Sequence, residues 1–225
     1  MYDFALYGHL TFDEIYHDGY HSTNVGGIAN VWRSLKSIDK RLNIYTCPLH
    51  FGESKIVIEN DKKDNYSNLN QFEMFLGDAV EAKLSHVAYV NELDSPSIVR
   101  ALKGVKTADV CTTKENEGKL LSLEIANEFD FIFVAEDQKD LVPKEFERRL
   151  VVHGPCQTTV YKHGVQITHF ENFDQYLTGA NVLGAGDHFA ACYMYGIIHG
   201  RDDKHCAEMS QRLTTKFLRD RHEKA

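Results

Sequence analysis

The 225-residue chain has little basic charge to spare: 25 Lys and Arg stand against 33 Asp and Glu, a formal net charge of −8 with His neutral. Nucleic acid and anionic membrane surfaces need a basic footprint, so the balance argues against both as partners. A phosphorylated small molecule stays open, because a few backbone dipoles can bind phosphate inside an acidic protein. Cysteine is sparse as well. Cys47, Cys111, Cys156, Cys192 and Cys206 are odd in number, scattered, and form no C-x-x-C pair. That argues against a disulfide framework or a zinc site and for free thiols in a reducing compartment. Long apolar runs are missing too. No window approaches the about 18 apolar residues of a membrane span, and the opening Met-Tyr-Asp-Phe-Ala-Leu-Tyr-Gly lacks the basic and apolar regions of a signal peptide. A cytoplasmic protein is expected. Internal repeats, low-complexity tracts and linker-like stretches are also absent, so one compact domain over residues 1–225 is expected.

What is present is an ordinary globular composition, 43% hydrophobic and 26% charged, with short apolar runs alternating with helical periodicity. Asp3–Tyr7, Leu42–Cys47, His86–Val90, Asp109–Thr112, Asp130–Val134 and Arg149–His153 read as strands. Consecutive apolar positions such as Phe131-Ile132-Phe133-Val134 suit strands covered on both faces. Helices are predicted over Ile28–Ile38, Pro96–Lys103, Gly118–Glu128, Asp187–Ile198 and Asp203–His222. Such alternation predicts a Rossmann-like three-layer α/β domain with a mostly parallel sheet. Two regions break the rhythm. A strand–loop–strand excursion is expected around residues 51–78, and Thr158–Lys162 with Val165–Thr168, joined through His163-Gly164, reads as a hairpin.

The strongest local signal is Leu183-Gly184-Ala185-Gly186-Asp187-His188-Phe189-Ala190-Ala191. Small residues lead straight into an apolar helix. Gly184 and Gly186 can aim consecutive N–H groups at one point at the helix amino terminus, where orphan donors and the macrodipole favour an anion. Asp187, on the first turn, lies within reach of whatever binds there. The plainer reading is a tight turn with Asp187 as a cap. A dinucleotide fingerprint is disfavoured by Phe189 at the third glycine position and by the motif's place near the end of the sequence, and no Walker-type loop occurs.

The second signal lies near the start. Gly8 closes the first strand, Asp13 follows, and Val25-Gly26-Gly27-Ile28-Ala29-Asn30 opens the first long helix. Gly26 and Gly27 allow close backbone approach, while Asp13 and Asn30 offer the acceptor and amide that recognise sugar hydroxyls. Alone, it reads equally as a glycine turn with a polar helix start.

Together the two signals resemble the ribokinase-like, phosphofructokinase-B-type carbohydrate kinase family in order and separation. The resemblance places the family's lid strands within residues 51–78 and its nucleotide loop at Val151-Val152-His153-Gly154. It implies Asp187 as the base that takes the acceptor hydroxyl's proton. Gly184, Ala185 and Gly186 would form the anion hole, Asp13, Gly26, Gly27 and Asn30 would hold the sugar, and Gly154 would lie near the nucleotide. ATP and magnesium are the implied cofactors, a sugar or nucleoside the implied substrate, and a homodimer through the lid the implied assembly. The family pattern is broken where Asn181-Val182 replaces Asp-Thr, where Ala135 and Gln138 replace an Asn-x-x-Glu pair, and where Val152 and Gln157 replace a Thr and a Gly. Magnesium handling and nucleotide affinity hang on those positions. A degenerate kinase that only binds a sugar or nucleoside is therefore the rival reading.

Twelve histidines raise the question of a metal site, but His17 and His21 are the nearest to ligand spacing and their setting of Tyr16, Asp18, Gly19 and Tyr20 reads as a loop. His188 is expected to face solvent. Tyr16, Tyr20, Phe72 and Phe75 are candidates to line the sugar or close a dimer. Met209, Leu213 and Phe217, four apart, predict an amphipathic last helix that covers the sheet.

Overall fold

In the computed structural model, residues 1–17, 19–59, 62–70, 79–92, 97–111, 119–172 and 182–222 are described. Ten strands and five α-helices follow in the order β1 (Tyr2–His17), β2 (Tyr20–Val25), α1 (Ile28–Ile38), β3 (Ile44–Glu59), β4 (Lys62–Asn70), β5 (Ala82–Ala88), α2 (Ser97–Ala101), β6 (Val105–Asp109), α3 (Leu123–Ala126), β7 (Phe131–Ala135), β8 (Arg149–His153), β9 (Gln157–Lys162), β10 (Val165–Glu171), α4 (Ala185–Ile198) and α5 (Asp203–His222). All ten strands belong to one sheet of order β10-β9-β8-β7-β6-β5-β1-β3-β4, with β2 attached to β1. The run β3-β1-β5-β6-β7-β8 is parallel. The pairs β1–β2, β3–β4, β8–β9 and β9–β10 are antiparallel.

Strand alternation divides the core between the two faces. Phe4, Leu6, Phe131, Phe133 and Val151 point to the side covered by α1, α4 and α5, where Ile28, Val31, Leu35, Phe189, Tyr193 and Ala207 meet them. Ala5, Tyr7, Ile132, Val134 and Val152 point to the other, against Val99, Leu121, Ile125 and Phe129. Burying each large apolar side chain contributes roughly 1.5–3 kcal/mol, so both layers hold the sheet. Helix α4 is buried nearly all round, from Asp187 through Met194, because α1 and α5 flank it on the same face. The three-layer, mostly parallel α/β architecture read from the sequence is the one observed.

β1 does not stop at Tyr7 but runs on to His17 and returns as β2, so Tyr16 and Tyr20 lie on strands and not in a loop. Polar residues at alternate positions disguise that half, since only one of its faces is covered. The expected strands His86–Val90 and Asp109–Thr112 move back to Ala82–Ala88 and Val105–Asp109, while Thr112 lies outside the described residues. Two short helices are trimmed to Ser97–Ala101 and Leu123–Ala126; Pro96 and Gly118 lie outside the described residues. The second begins where the Ser122 hydroxyl accepts a hydrogen bond from the Ile125 N–H at 3.2 Å, a cap that sets its start.

Beyond Gly8, the distal halves of β1 and β3 carry the sheet onward, flanked by β2 and β4, as a distal extension called the distal sheet below. Its inner face carries buried Asp13, Ile15, Ser54 and Ile56, and its outer face exposed Phe12, Glu14, Tyr16, Glu53 and Lys55. Ile15, Ile56 and Ile58 pack on Leu183, the residue before the α4 turn. The distal sheet is thus fastened over the amino terminus of α4. Residues 71–78 of the expected excursion, Phe72 and Phe75 included, lie outside the described residues.

Candidate active site

The chain starts at β1, moves outward to β3, then crosses back to β5. The order reverses beside β1, and in open α/β sheets ligands bind beyond the strand carboxyl ends at such a switch point. Here β1 and β5 come very close: a Cβ added to Gly8 would sit 1.5 Å from the Ala88 carbonyl oxygen, so only glycine fits. The next residue along, Tyr89, carries its hydroxyl to Asp187.

Asp187 is buried to 7% exposure on the first turn of α4. Gly184, at φ 75°, takes the left-handed conformation at the N-cap, which a side-chain-bearing residue adopts only at a cost. From that turn the Asp187 carboxylate receives the Asn30 Nδ2 amide on Oδ2 at 3.0 Å and the Tyr89 hydroxyl on Oδ1 at 3.3 Å. Asn30 and Asp187 are 157 positions apart in sequence. The two signals singled out at the ends of the chain therefore meet side chain to side chain.

Asp13 reaches the same cleft from above. It is 4% exposed, faces Asn24 and Ser54 across the distal sheet, and accepts the Ser54 hydroxyl on Oδ1 at 3.0 Å. Gly26 closes the other side: a Cβ there would lie 2.1 Å from Asp13 Oδ2 and 2.6 Å from Thr11 Oγ1. Gly27, at φ 61°, backs onto the His9 carbonyl in the same way. The pair of glycines is thus needed to bring the start of α1 against the carboxylate.

Electrostatics tie the groups together. Tyr89 has its phenol pushed well above the ordinary range, first by burial and then by the surrounding charges of Asp187, Cys111, Asp109 and Asp13. It stays protonated and donates. Its ring meets His9 edge-on with centroids 5.9 Å apart. Burial and the neighbouring His50 hold His9 down to about 3, a neutral imidazole throughout the working range. His188, expected in solvent, is 5% exposed. It stacks on Phe217 with ring centroids 4.3 Å apart, and burial lowers it to about 4. The stack with α5 explains the inversion, since that helix passes directly over the α4 turn.

On the opposite side, His153 at the end of β8 stacks on Phe189 at 4.8 Å, and its ring lies 3.4 Å from where a Gly186 Cβ would stand. Burial holds its imidazole below the usual range. Gly154, the residue after His153, thus lies near the α4 turn. The Gly154 N–H donates to the Gln157 carbonyl at 2.8 Å, and Gln157 Nε2 donates to Glu136 Oε1 at 2.6 Å. Glu136 Oε2 fills the space where a Gly154 side chain would go, 2.7 Å away. The Ala185 N–H is turned to the Val182 carbonyl at 3.0 Å, so it is engaged within the turn and does not serve the anion hole in which the resemblance placed it. Ala135 ends β7, Val152 is core, Gln138 lies in the 3-10 turn after β7, and Asn181 lies outside the described residues. Among the described residues no cluster of three or more His, Cys, Asp or Glu is arranged to hold a metal, and no helix is long and apolar enough to cross a membrane.

Sequence reasoning missed Tyr89 and Asp109. Both sit at strand ends, which become informative only once the strand order is known.

No family model and no curated protein sequence matches the chain. Solved structures do. A pyrophosphate-dependent kinase in the ribokinase family, complexed with a pyrophosphate analog and myo-inositol, superposes with TM-score 0.66 and 14% identity over 96% of this chain and 95% of that one. The Burkholderia thailandensis nucleoside kinase in complex with inosine gives 0.65 and 13%, over 96% and 91%. Arabidopsis thaliana ribokinase complexed with ribose and ATP gives 0.64 and 10%, over 97% and 93%.

Proposed function

From the ribokinase-like fold that the chain shares with these kinases, we propose that it transfers the γ-phosphoryl group of ATP to a hydroxyl of a sugar, a nucleoside or a similar polyol. The observation that carries the proposal is the hydrogen bond between Asn30 and Asp187, which unites the acceptor-side and phosphate-side motifs in one cleft. Asp187 is the general base. Its Oδ1, which the Tyr89 hydroxyl meets at 3.3 Å, is the oxygen we assign to the substrate hydroxyl. Asp13, held by Ser54, accepts from another hydroxyl of the acceptor, and the Gly26-Gly27 backbone lets the ring approach closely.

Phosphoryl transfer asks little covalent chemistry of the protein and much alignment. The amide of Gly186, at the head of α4, stabilises negative charge on the migrating group without reorganising, worth ~3 kcal/mol per well-placed donor. The distal sheet acts as the lid that keeps water out. The donor would lie along His153-Gly154 toward Gly186. Magnesium, which needs only one or two carboxylates and keeps its waters, would find Glu136 at that loop, and supplies charge neutralisation on the phosphate oxygens when bound. Phe12, Tyr16, Phe51 and Tyr66, exposed on the outer face of the distal sheet, support a homodimer formed through that face, and the protein would work in the cytoplasm.

One observation favours a second reading. The Gly154 N–H and the Glu136 carboxylate are both engaged with Gln157, so the nucleotide loop is closed on itself. A sugar- or nucleoside-binding protein without transferase activity would keep the Asp13 side and lack the donor side. A thermal-shift screen of neutral sugars and nucleosides, with and without Mg·ATP, separates the two. A ligand at 100 times its Kd adds ~2.7 kcal/mol to native stability. Kinase action predicts shifts with both acceptor and nucleotide, and ADP release on the best acceptor. Stabilisation by acceptor alone, with no response to any nucleotide, selects the binding protein.

A further inference from the structure

We propose that Arg33 is a positioning residue for the base: it fixes the amide of Asn30 so that the NH2 group faces Asp187, and ties that amide to the strand opposite Asp13. The inference rests on the reading of Asp187 as the base. Arg33 is one turn beyond Asn30 on α1, and its Nη2 donates to Asn30 Oδ1 at 2.6 Å. A guanidinium has donors only and a carboxylate accepts only. An amide lying between them has one sensible orientation, oxygen to Arg33 and nitrogen to Asp187 Oδ2 at 3.0 Å. Without Arg33 the amide could rotate and present its oxygen to the carboxylate, turning an attraction into a repulsion.

The same Nη2 donates to Asn24 Oδ1 at 3.1 Å and to the Val25 carbonyl. Asn24 pairs in register with Asp13, and Val25 with Phe12. One guanidinium therefore joins the strand that faces the acceptor carboxylate to the amide that orients the base. Among the described residues no carboxylate is within ion-pair distance of Arg33, so its charge is spent on this network. Arg221 of α5 donates to the Leu183 carbonyl at 2.6 Å. It is close enough for Arg33 to help, after burial, lower its affinity for a proton. The two neighbouring cations thus hold the turn through a carbonyl and through an amide. Other groups facing Asp187 are Tyr89 from the end of β5, with Asp13, Asp109 and Cys111 around that phenol. His188, next along α4, is turned to Phe217.

The test compares wild type, Arg33→Met and Arg33→Lys. Loss of a charge-assisted donor network favours the protonated carboxyl. Arg33→Met therefore moves the acidic limb of the kcat/KM–pH profile upward by about half a unit or more and lowers kcat about tenfold, with KM for ATP unchanged. Arg33→Lys restores part of both. A 13C titration of the Asp187 carboxyl, assigned by its loss in Asp187→Asn, reads the same upward shift without any turnover. If wild type phosphorylates no acceptor, the kinase reading falls while this titration still decides the role of Arg33. Asn30→Leu, which removes the middle of the relay, should reproduce the shift, and adding Arg33→Met to it should move the midpoint little further. It also serves if Arg33→Met fails to fold. An Asp187 midpoint unchanged in folded Arg33→Met, or a fully additive double variant, overturns the proposal.

Discussion

Gly26→Ala tests the acceptor side of the cleft with a single carbon atom. The Gly26 backbone is outside the left-handed region, so the substitution is judged by space alone. The new Cβ would stand 2.1 Å from Asp13 Oδ2, 2.8 Å from Asp13 Cγ and 2.6 Å from Thr11 Oγ1. Ordinary contact begins at 3.4 Å, so the carboxylate must retreat by roughly 1.3 Å, the difference between the two distances, or the turn must lift by as much. Both neighbours are buried, and the carboxylate is fixed by Ser54 at 3.0 Å, so neither motion is cheap. Overpacking of this kind costs about 1–3 kcal/mol, a fall in Tm of roughly 4–8 °C at 2 kcal/mol for a chain of this size. A displacement of about 1 Å in a positioning group costs up to about a hundredfold in rate. We expect the acceptor Kd, measured by calorimetry, to rise at least tenfold while nucleotide affinity holds. In the Asp13→Ala background most of the Gly26→Ala stability penalty should vanish, a coupling of 0.5 kcal/mol or more. A Gly26→Ala protein with the wild-type Tm and acceptor Kd would refute the packing of Gly26 on Asp13.

Other outcomes follow from the same structure. His9 and His188 are held to about 3 and about 4 by burial, below the ordinary 6.5 of an unfolded histidine. The unfolded chain therefore binds their protons first, and stability is lost as pH falls from about 6.5, up to ~1.4 kcal/mol per histidine per unit. Calorimetric Tm should be level between pH 8 and 7 and fall steadily toward pH 5, with His188→Leu flattening the slope; a level Tm down to pH 5 would be inconsistent with two buried neutral imidazoles. Gly196→Ala would place a Cβ 2.6 Å from Cys206 Sγ and 3.2 Å from Met209 Cε, and should lower stability by about 1–3 kcal/mol in urea unfolding. Phe12→Glu with Tyr66→Glu, on the exposed outer face of the distal sheet, tests the proposed homodimer: wild type should sediment as a dimer and the double variant as a monomer, and a monomeric wild type would contradict the proposal.

How legible was this in the sequence? The helices at 28–38 and 203–222 were bounded as observed, because each shows a clear apolar stripe between turn signals. Gly8 and the Gly26-Gly27 turn were legible for a related reason: glycine is placed where no Cβ fits, and the structure finds a neighbour's atoms within 3 Å at all three, whereas Gly184 answers to its left-handed φ of 75°. The distal half of β1 was not legible. Its thinly covered sheet leaves His9 to His17 polar and aromatic by turns, a pattern that also suits a loop. Tyr89 was hidden for a different reason. Nothing local marks a tyrosine after an apolar strand, and its meaning comes from the order in which strands cross the sheet. His188 was misjudged because its cover is α5, which arrives from the far end of the chain.

Replacing the base is the most direct trial of the account. Asp187→Asn keeps the side-chain shape, and its amide can still turn its oxygen toward Asn30, so the fold should survive. Initial rates of ADP release with the best acceptor should fall at least a hundredfold, the scale on which general bases act, with acceptor Kd changed less than about threefold. Undiminished turnover in Asp187→Asn would contradict the assignment of the α4 turn as the place where the hydroxyl gives up its proton.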